Sequence, residues 1–362
     1  MPPDRRGERQ AALRAALEGE GLDALLVTHL ANIRYLTGFT GSAALLLIQP
    51  ATTTLITDFR YAAQAPDEAG EAAVVEVDRT SVWERLARVL GAAPAGTLGI
   101  ESQALTVRDA ERVAALSRGR VAPVAELVER LRAVKSPEEV DAVRAAAALA
   151  QAALAEVLPG VRVGQTEIEV GAALEAALRR RGSEWHPFPT IVASGPRSAL
   201  PHARTSPRPI GPGEWLLLDF GAQVDGYCAD LTRTIVVGAR ADERQRTVYE
   251  LVQTAQRRAL QHLRAGMPGR EGDALAREVI AARGFGEAFG HSLGHGLGLE
   301  VHEAPRLAPT ADAPLPLHAV VTVEPGIYLQ GWGGVRLEDD VYLGPDGAVL
   351  LSDGRTELLE LV

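Results

Sequence analysis

The stretch Trp215-Leu-Leu-Leu-Asp219-Phe-Gly-Ala-Gln-Val-Asp-Gly226-Tyr-Cys-Ala-Asp230-Leu-Thr-Arg-Thr-Ile-Val-Val237 decides the fold. Two apolar runs flank a short polar middle, so it reads as a hairpin of two buried strands. Each strand carries a carboxylate where the apolar run meets the turn. An acid there is costly unless something balances its buried charge. A divalent cation does so directly, and an arginine partner is the ordinary alternative.

The arrangement returns further along the chain. Residues 319–343 form a second apolar hairpin, in which Glu324 ends the run Ala319-Val-Val-Thr-Val323 and Glu338 lies at the return strand. Outward from the hairpins, residues 160–182 have a counterpart in 266–284: each opens on a glycine turn, runs through a charged amphipathic helix and ends in Arg-Gly. His202 and His302 are 100 positions apart, each ahead of its own hairpin. The segment 131–362 therefore reads as one unit duplicated with pseudo-twofold symmetry, each half being helix, helix, hairpin, with one histidine and two carboxylates.

Four carboxylates at matching places favour a metal over separate arginine pairs, and a third element strengthens this. The segment His291-Ser-Leu-Gly-His295-Gly-Leu-Gly-Leu-Glu-Val-His302-Glu-Ala-Pro305 sets glycines on both sides of His295, which would let imidazole and backbone approach a site closely. Histidines at spacings of four and seven match neither a zinc finger nor a His-Glu-x-x-His helix. One ligand among the three is the expectation.

Upstream, Ser136-Pro137-Glu138-Glu139 has the form of a capping box with proline at the first helical position, so a long helix starts here and opens the second domain. Residues 1–130 read as alternating elements: helix 9–18, strands 24–28, 43–48 and 53–57, helices 81–90 and 107–116. This is an α/β layer domain without a nucleotide fingerprint.

Asp219-Phe-Gly, Gly226-Tyr-Cys-Ala-Asp230-Leu-Thr-Arg-Thr234, Gly294-His295-Gly296, His302-Glu303-Ala-Pro305, Val323-Glu324-Pro325-Gly326 and Arg336-Leu-Glu338-Asp339 together resemble the pita-bread metallopeptidases, in particular the Xaa-Pro peptidases, aminopeptidase P and prolidase. The segments Asn32-Ile-Arg34-Tyr35-Leu-Thr-Gly-Phe39-Thr-Gly-Ser42 and Thr57-Asp58-Phe-Arg60-Tyr61 resemble the extra N-terminal domain of that group, which methionine aminopeptidases lack. The resemblance implies a creatinase/prolidase-like α/β domain followed by an α+β pita-bread catalytic domain. It also implies two divalent metal ions per subunit (Mn, Co, Zn or Fe). Asp219 would bind one, Asp230 and Glu338 would bridge both, and His295 with Glu324 would bind the other. Glu324 would shuttle a proton, His202 and His302 would contact substrate, and His291 and Arg336 would support the site. Arg34 and Arg306 are candidates for holding a substrate carboxylate.

The implied reaction is hydrolysis of the bond between an N-terminal residue and a following trans proline, in di- or oligopeptides. The compact length favours prolidase, whereas the stretch from Phe39 to Ser42 resembles aminopeptidases P, so both stand. A non-catalytic binding protein and a creatinase-like hydrolase on the same fold are the competing readings. Gly331-Trp332-Gly333-Gly334 reads as a hairpin turn, with a gate over the pocket as its functional alternative.

Composition narrows the partners. The 37 basic residues against 47 acidic ones form no concentrated basic face, which argues against nucleic acid. The N-terminal Met1-Pro2-Pro3-Asp4-Arg5-Arg6 leads into no apolar leader, and uninterrupted apolar runs fall short of a membrane span. A lone cysteine, Cys228, fits a reducing compartment and reads as a small buried strand residue. A cytoplasmic homodimer is the expectation, the dimer by resemblance.

Overall fold

The structure, a computed structural model, describes residues 5–92 and 96–362, so Met1 to Asp4 of the N-terminal reading lie outside the described residues. Contacts divide the chain into two compact units, Met1–Arg132 and Ala133–Val362.

The first unit is a six-stranded mixed sheet with helices, in the order β4-β3-β2-β1-β5-β6. Its strands are β1 Ala24–Val27, β2 Ala44–Ile48, β3 Thr53–Asp58, β4 Val74–Asp78, β5 Thr97–Glu101 and β6 Arg120–Val124. The apolar runs foreseen in the sequence become the centre of the sheet, where Leu26, Leu45, Leu47 and Ile56 pack with Leu86 and Leu98 in the core. The strands not foreseen include both edges: β6 carries Pro123, which an edge strand tolerates, and β4 is mostly half-buried, with Val74 exposed. The segment that begins at Asn32 lies on helix Leu30–Thr37, which stops at Gly38 in a left-handed conformation.

In the second unit the duplication is visible. The first half has helices Pro137–Val157 and Glu167–Arg180, then strands β7 Ile191–Ser194, β8 Glu214–Phe220 and β11 Leu231–Val237, with a small ribbon of β9 Gln223–Val224 and β10 Tyr227–Cys228 between the last two. The second half has helices Glu243–His262 and Gly269–Ala281, then β12 Gly294–Gly296, β13 Glu303–Leu307, β14 Val320–Val323 and β17 Asp339–Gly344, the last pairing with β18 Gly347–Leu350. The second hairpin departs from the sequence reading. A separate ribbon, β15 Gly326–Leu329 with β16 Gly333–Arg336, is inserted between its two strands. The half-sheets have the orders β19-β11-β8-β7 and β13-β12-β14-β17-β18, with β19 Glu360–Leu361 closing the first.

The helix that opens the second unit forms the expected capping box: Ser136 accepts from the Glu139 N–H, and the Glu139 carboxylate accepts from the Ser136 N–H. The stretch Pro137–Gly160 is long and apolar enough to cross a membrane by length and composition. Here Ala146, Ala147, Ala150, Ala153 and Leu154 pack it into the core beside Leu216 and Leu218.

Gly333 and Gly334 also change meaning. A Cβ at Gly334 would lie 2.3 Å from the Ser198 carbonyl oxygen, and one at Gly333 would lie 2.8 Å from the Trp215 ring. Both belong to a buried strand in close contact, so the gate is not supported, and the turn itself sits at Gly331, with φ 78°.

Candidate active site

The two halves meet along an antiparallel seam. Thr232 of β11 bridges Glu338, whose N–H donates to the Thr232 carbonyl at 3.2 Å. Along the same seam the Arg336 N–H donates to the Thr234 hydroxyl at 3.2 Å, and the Asp230 N–H faces the Asp340 carboxylate at 3.2–3.3 Å. Asp230 immediately precedes β11 and Glu338 immediately precedes β17, so the seam draws one carboxylate from each half together. Asp219 lies opposite Thr232 in the β8–β11 ladder, and Glu324 follows β14 directly. The sequence duplication thus places its four acids around one point.

His295 enters from β12, which pairs with both β13 and β14. Its Nδ1 lies 3.1 Å from the Gly296 carbonyl, an acceptor that fixes the proton on Nδ1 and leaves the Nε2 lone pair free. Nε2 is 3.5 Å from a Glu324 oxygen and 3.8 Å from an Asp230 oxygen. One donor atom each from Asp230, His295 and Glu338 lies within 4.8 Å of the others. The glycines flanking His295 have a different cause from the expected one. A Cβ at Gly294 would lie 1.9 Å from the Thr322 oxygen and one at Gly296 2.1 Å from the Ala304 oxygen, so the neighbouring strands demand them.

The other residues named from the sequence divide into those near this cluster and those elsewhere. Arg336 reaches the Asp219 carboxylate at 2.5 Å, the Thr232 hydroxyl at 3.0 Å and the Tyr328 hydroxyl at 2.8 Å. His291 is 3.8 Å from Glu324 through Nδ1, and its Nε2 lies 2.9 Å from the same Tyr328 hydroxyl. The His302 ring is 4.2 Å from that of His295, and Arg306 lies opposite His295 in the ladder; both are exposed. His202 is exposed too, and its field reaches Asp219, His291 and His302. Arg34 belongs to the first unit.

Thr232, Thr322 and Tyr328 were not singled out in the sequence. Thr232 donates to Glu338 at 2.6 Å and Thr322 to Glu324 at 3.4 Å, so each hydroxyl orients one acid. Thr232 and Thr322 left a trace, as hydroxyl residues interrupting apolar strands. Tyr328 left none, because it matters only where the ribbon that also carries Arg336 meets His291, 37 positions away.

Electrostatics expose a deficit of positive charge. Burial, then the charges of Glu338, Asp219 and Glu324, hold the Asp230 carboxyl well above its usual range. Burial and Glu338 do the same to Glu324, and burial with Asp219 pushes Glu338 up to about 8. Burial also raises Asp219, against the opposing charge of Arg336. His295 is pushed down to about 4 by burial and by His302, so its ring is neutral near pH 7.

A second sign is geometric. Buried Oδ1 atoms of Asp219 and Asp230 have no hydrogen-bond partner among the described residues. Clustered carboxylates, bare buried oxygens and a neutral imidazole form a hard oxygen/nitrogen donor set that fits a divalent cation.

Comparison with known proteins places this geometry. Residues 9–134 match the Creatinase/Prolidase N-terminal domain. An uncharacterized peptidase, YqhT, of Bacillus subtilis is 42% identical over 342 residues, 94% of this chain and 96% of that protein. An Xaa-Pro dipeptidase structure from Bacillus anthracis superposes with a TM-score of 0.95 at 40% identity, covering 98% of this chain and 100% of that one. An X-Pro aminopeptidase structure from Thermotoga maritima gives 0.91 at 36% identity, covering 97% and 99%. Residues 141–345, which contain the carboxylate cluster and its histidines, match metallopeptidase family M24, and the chain belongs to that family.

Proposed function

We propose that the chain hydrolyses the peptide bond between an N-terminal residue and a following trans proline, as an Xaa-Pro dipeptidase before an Xaa-Pro aminopeptidase, with two divalent ions from among manganese, cobalt, zinc and iron. The observation that carries this reading is the convergence of Asp230, His295 and Glu338 on one point, with the bare Oδ1 atoms of Asp219 and Asp230 beside it. Relatives of both activities cover nearly the whole chain.

Asp219 would hold one ion, His295 and Glu324 the other, and Asp230 with Glu338 both. Ions bound there supply Lewis acidity toward the scissile carbonyl and lower the pKa of water. Glu324 would take a proton from water and give it to the departing imide nitrogen; in the metal-free site burial and the charge of Glu338 hold its carboxyl above the ordinary range. The Thr322 hydroxyl donates to the Glu324 carboxylate, and the His291 ring, fixed by the Ser292 carbonyl and the Tyr328 hydroxyl, stands beside it at 3.8 Å. Arg336 opposes the rise that burial imposes on Asp219 and aims its carboxylate. His202 and His302, both exposed, contact the substrate backbone, and Arg306 or Arg34 receives its carboxylate.

Proline explains the need for a dedicated site. Its nitrogen has no N–H and its ring fixes φ, so a peptidase that binds substrate through that hydrogen bond fails on it. The trans isomer is the form this bond mostly takes. A cytoplasmic homodimer completes the reading.

The test compares hydrolysis of an Xaa-Pro dipeptide with that of an Xaa-Pro-Yaa tripeptide on the purified protein, before and after chelation, and with Arg34→Ala. Metal-dependent cleavage of both, faster on the dipeptide and reduced toward it in Arg34→Ala, is expected. Cleavage indifferent to chelation overturns the metal assignment, and faster cleavage of the tripeptide makes the chain an aminopeptidase.

A further inference from the structure

Glu167 opens the helix Glu167–Arg180, and its side chain is fully buried, at 0% exposure. The helix does not need it as a cap, because Thr166 and Glu169 already form a capping box there. Its carboxylate instead collects a loop. Oε1 accepts from the Ser194 N–H at 2.8 Å and the Ser194 hydroxyl at 2.9 Å; Oε2 accepts from the Ser206 N–H at 3.0 Å and the Ser206 hydroxyl at 2.6 Å. Arg197 Nε lies 3.1–3.2 Å from both oxygens, and its guanidinium also donates to the Arg204 carbonyl. Both ends of segment 194–206, and a residue of its single-turn helix Gly195–Ala199, are therefore gathered on one anion.

That segment carries His202. Near its tip Arg336 donates to the Pro201 carbonyl at 3.3 Å, and the Ser198 hydroxyl accepts from the Gly334 N–H at 2.8 Å. The loop is thus tied to the strand that bears Arg336, which also holds Asp219. A buried carboxylate is an expensive way to stabilise a loop, because removing one partner leaves a charge uncompensated. It is well suited to setting the loop's position, because five donors meet at one fixed anion.

We infer that Glu167 is a positioning residue that holds segment 194–206 so that His202 faces the substrate, an inference that rests on the reading of His202 as a substrate contact. Misplacement of such a group by about 1 Å can cost as much as 100-fold in rate.

The test uses the full chain, loaded with diamagnetic zinc for NMR and with the activating ion for kinetics. Arg197→Met and Ser206→Ala each remove one partner while the Glu167 side chain is kept, and Glu167→Gln is the stronger variant. Two readouts are taken: kcat and KM on an Xaa-Pro dipeptide, and the His202 ring signal in NMR of 13C-histidine-labelled protein, assigned through His202→Ala. A loss of about tenfold in kcat/KM is expected in Arg197→Met, shrinking below about twofold in a His202→Ala background, because both changes then act through one residue. The His202 signal shifts in all three variants while metal affinity by calorimetry is unchanged. An equal loss with or without His202, or an unmoved His202 signal, overturns the inference. If the parent protein cleaves no Xaa-Pro bond, the proposed function fails while the NMR arm still decides the positioning role.

Discussion

Removing the metal should make the catalytic unit less stable as the pH rises above 6.5. With no cation present, burial and the Asp219 charge hold Glu338 at about 8 against a starting value of 4.5. A carboxyl raised in the folded state keeps a proton that the unfolded chain has released. Its stabilising effect is complete below the unfolded pKa and is lost as the pH climbs through the folded one. Each pH unit in that window removes about 1.4 kcal/mol. Between pH 6.5 and 8, Glu338 alone accounts for about 2 kcal/mol, or roughly 4–8 °C in a unit of this size. Asp230 and Glu324, both raised well above their usual values, act with the same sign. The window starts at 6.5 because His291 and His295, lowered to about 4, contribute the opposite slope below it. Divalent ions bind the deprotonated ligands, so their stabilisation grows with pH. Scanning calorimetry of chelated and Mn-loaded protein at pH 6.5 and 8 should show the gap between the two transition temperatures widening. A chelated protein whose transition is flat or rising across this window would refute the account of a charge-starved site.

Arg336→Met breaks a buried pair and strands Asp219, so a loss of about 3–5 kcal/mol in the metal-free protein is expected by urea unfolding; an unchanged midpoint would mean that Asp219 is compensated by something else. Gly334→Ala pushes a Cβ to 2.3 Å from the Ser198 backbone oxygen, which only a backbone shift relieves, and should cost about 3 kcal/mol or more, the upper end for overpacking. Gly331→Ala meets no atom within 4 Å and carries only the strain of positive φ, about 1–2 kcal/mol; equal effects on urea midpoints would contradict the close-contact explanation. In the first unit, burial pushes Glu129 up, but the neighbouring His29 ring and a hydrogen bond from Asn32 outweigh it and bring the carboxyl down to about 2. Its contribution is present above about 4.5 and is lost toward 2, so Glu129→Gln should flatten the acid dependence of hydrogen exchange in β1 and β5 over that range. An unaltered pH profile would remove Glu129 from the account.

What was legible in the chain follows from where each signal lies along it. Apolar strands around a single acid mark Asp219 and Glu324 locally, and the repeat marks their counterparts, because duplication writes the same local pattern twice. The seam at Thr232 and Glu338 is what turns those four acids into a single site, yet it joins residues 106 positions apart through hydrogen bonds that no periodicity records. Tyr328 is hidden for the same reason, since it matters only where a ribbon inserted into the second hairpin meets His291 and Arg336. The glycines beside His295 were legible as a demand for closeness, but the sequence could not say closeness to what. Close approach to a ligand and close approach to a neighbouring strand both exclude a Cβ, and the register of β12 against β13 and β14 decides for the strands. Glu167 follows the same rule: in the sequence it is one acid in the first turn of a helix, where acids are ordinary. Its role arises because Ser194 and Ser206, at the two ends of one loop, return to it. Residues that supply chemistry are therefore readable from their neighbours in the chain, whereas residues that aim that chemistry become visible only when the loops they hold have closed.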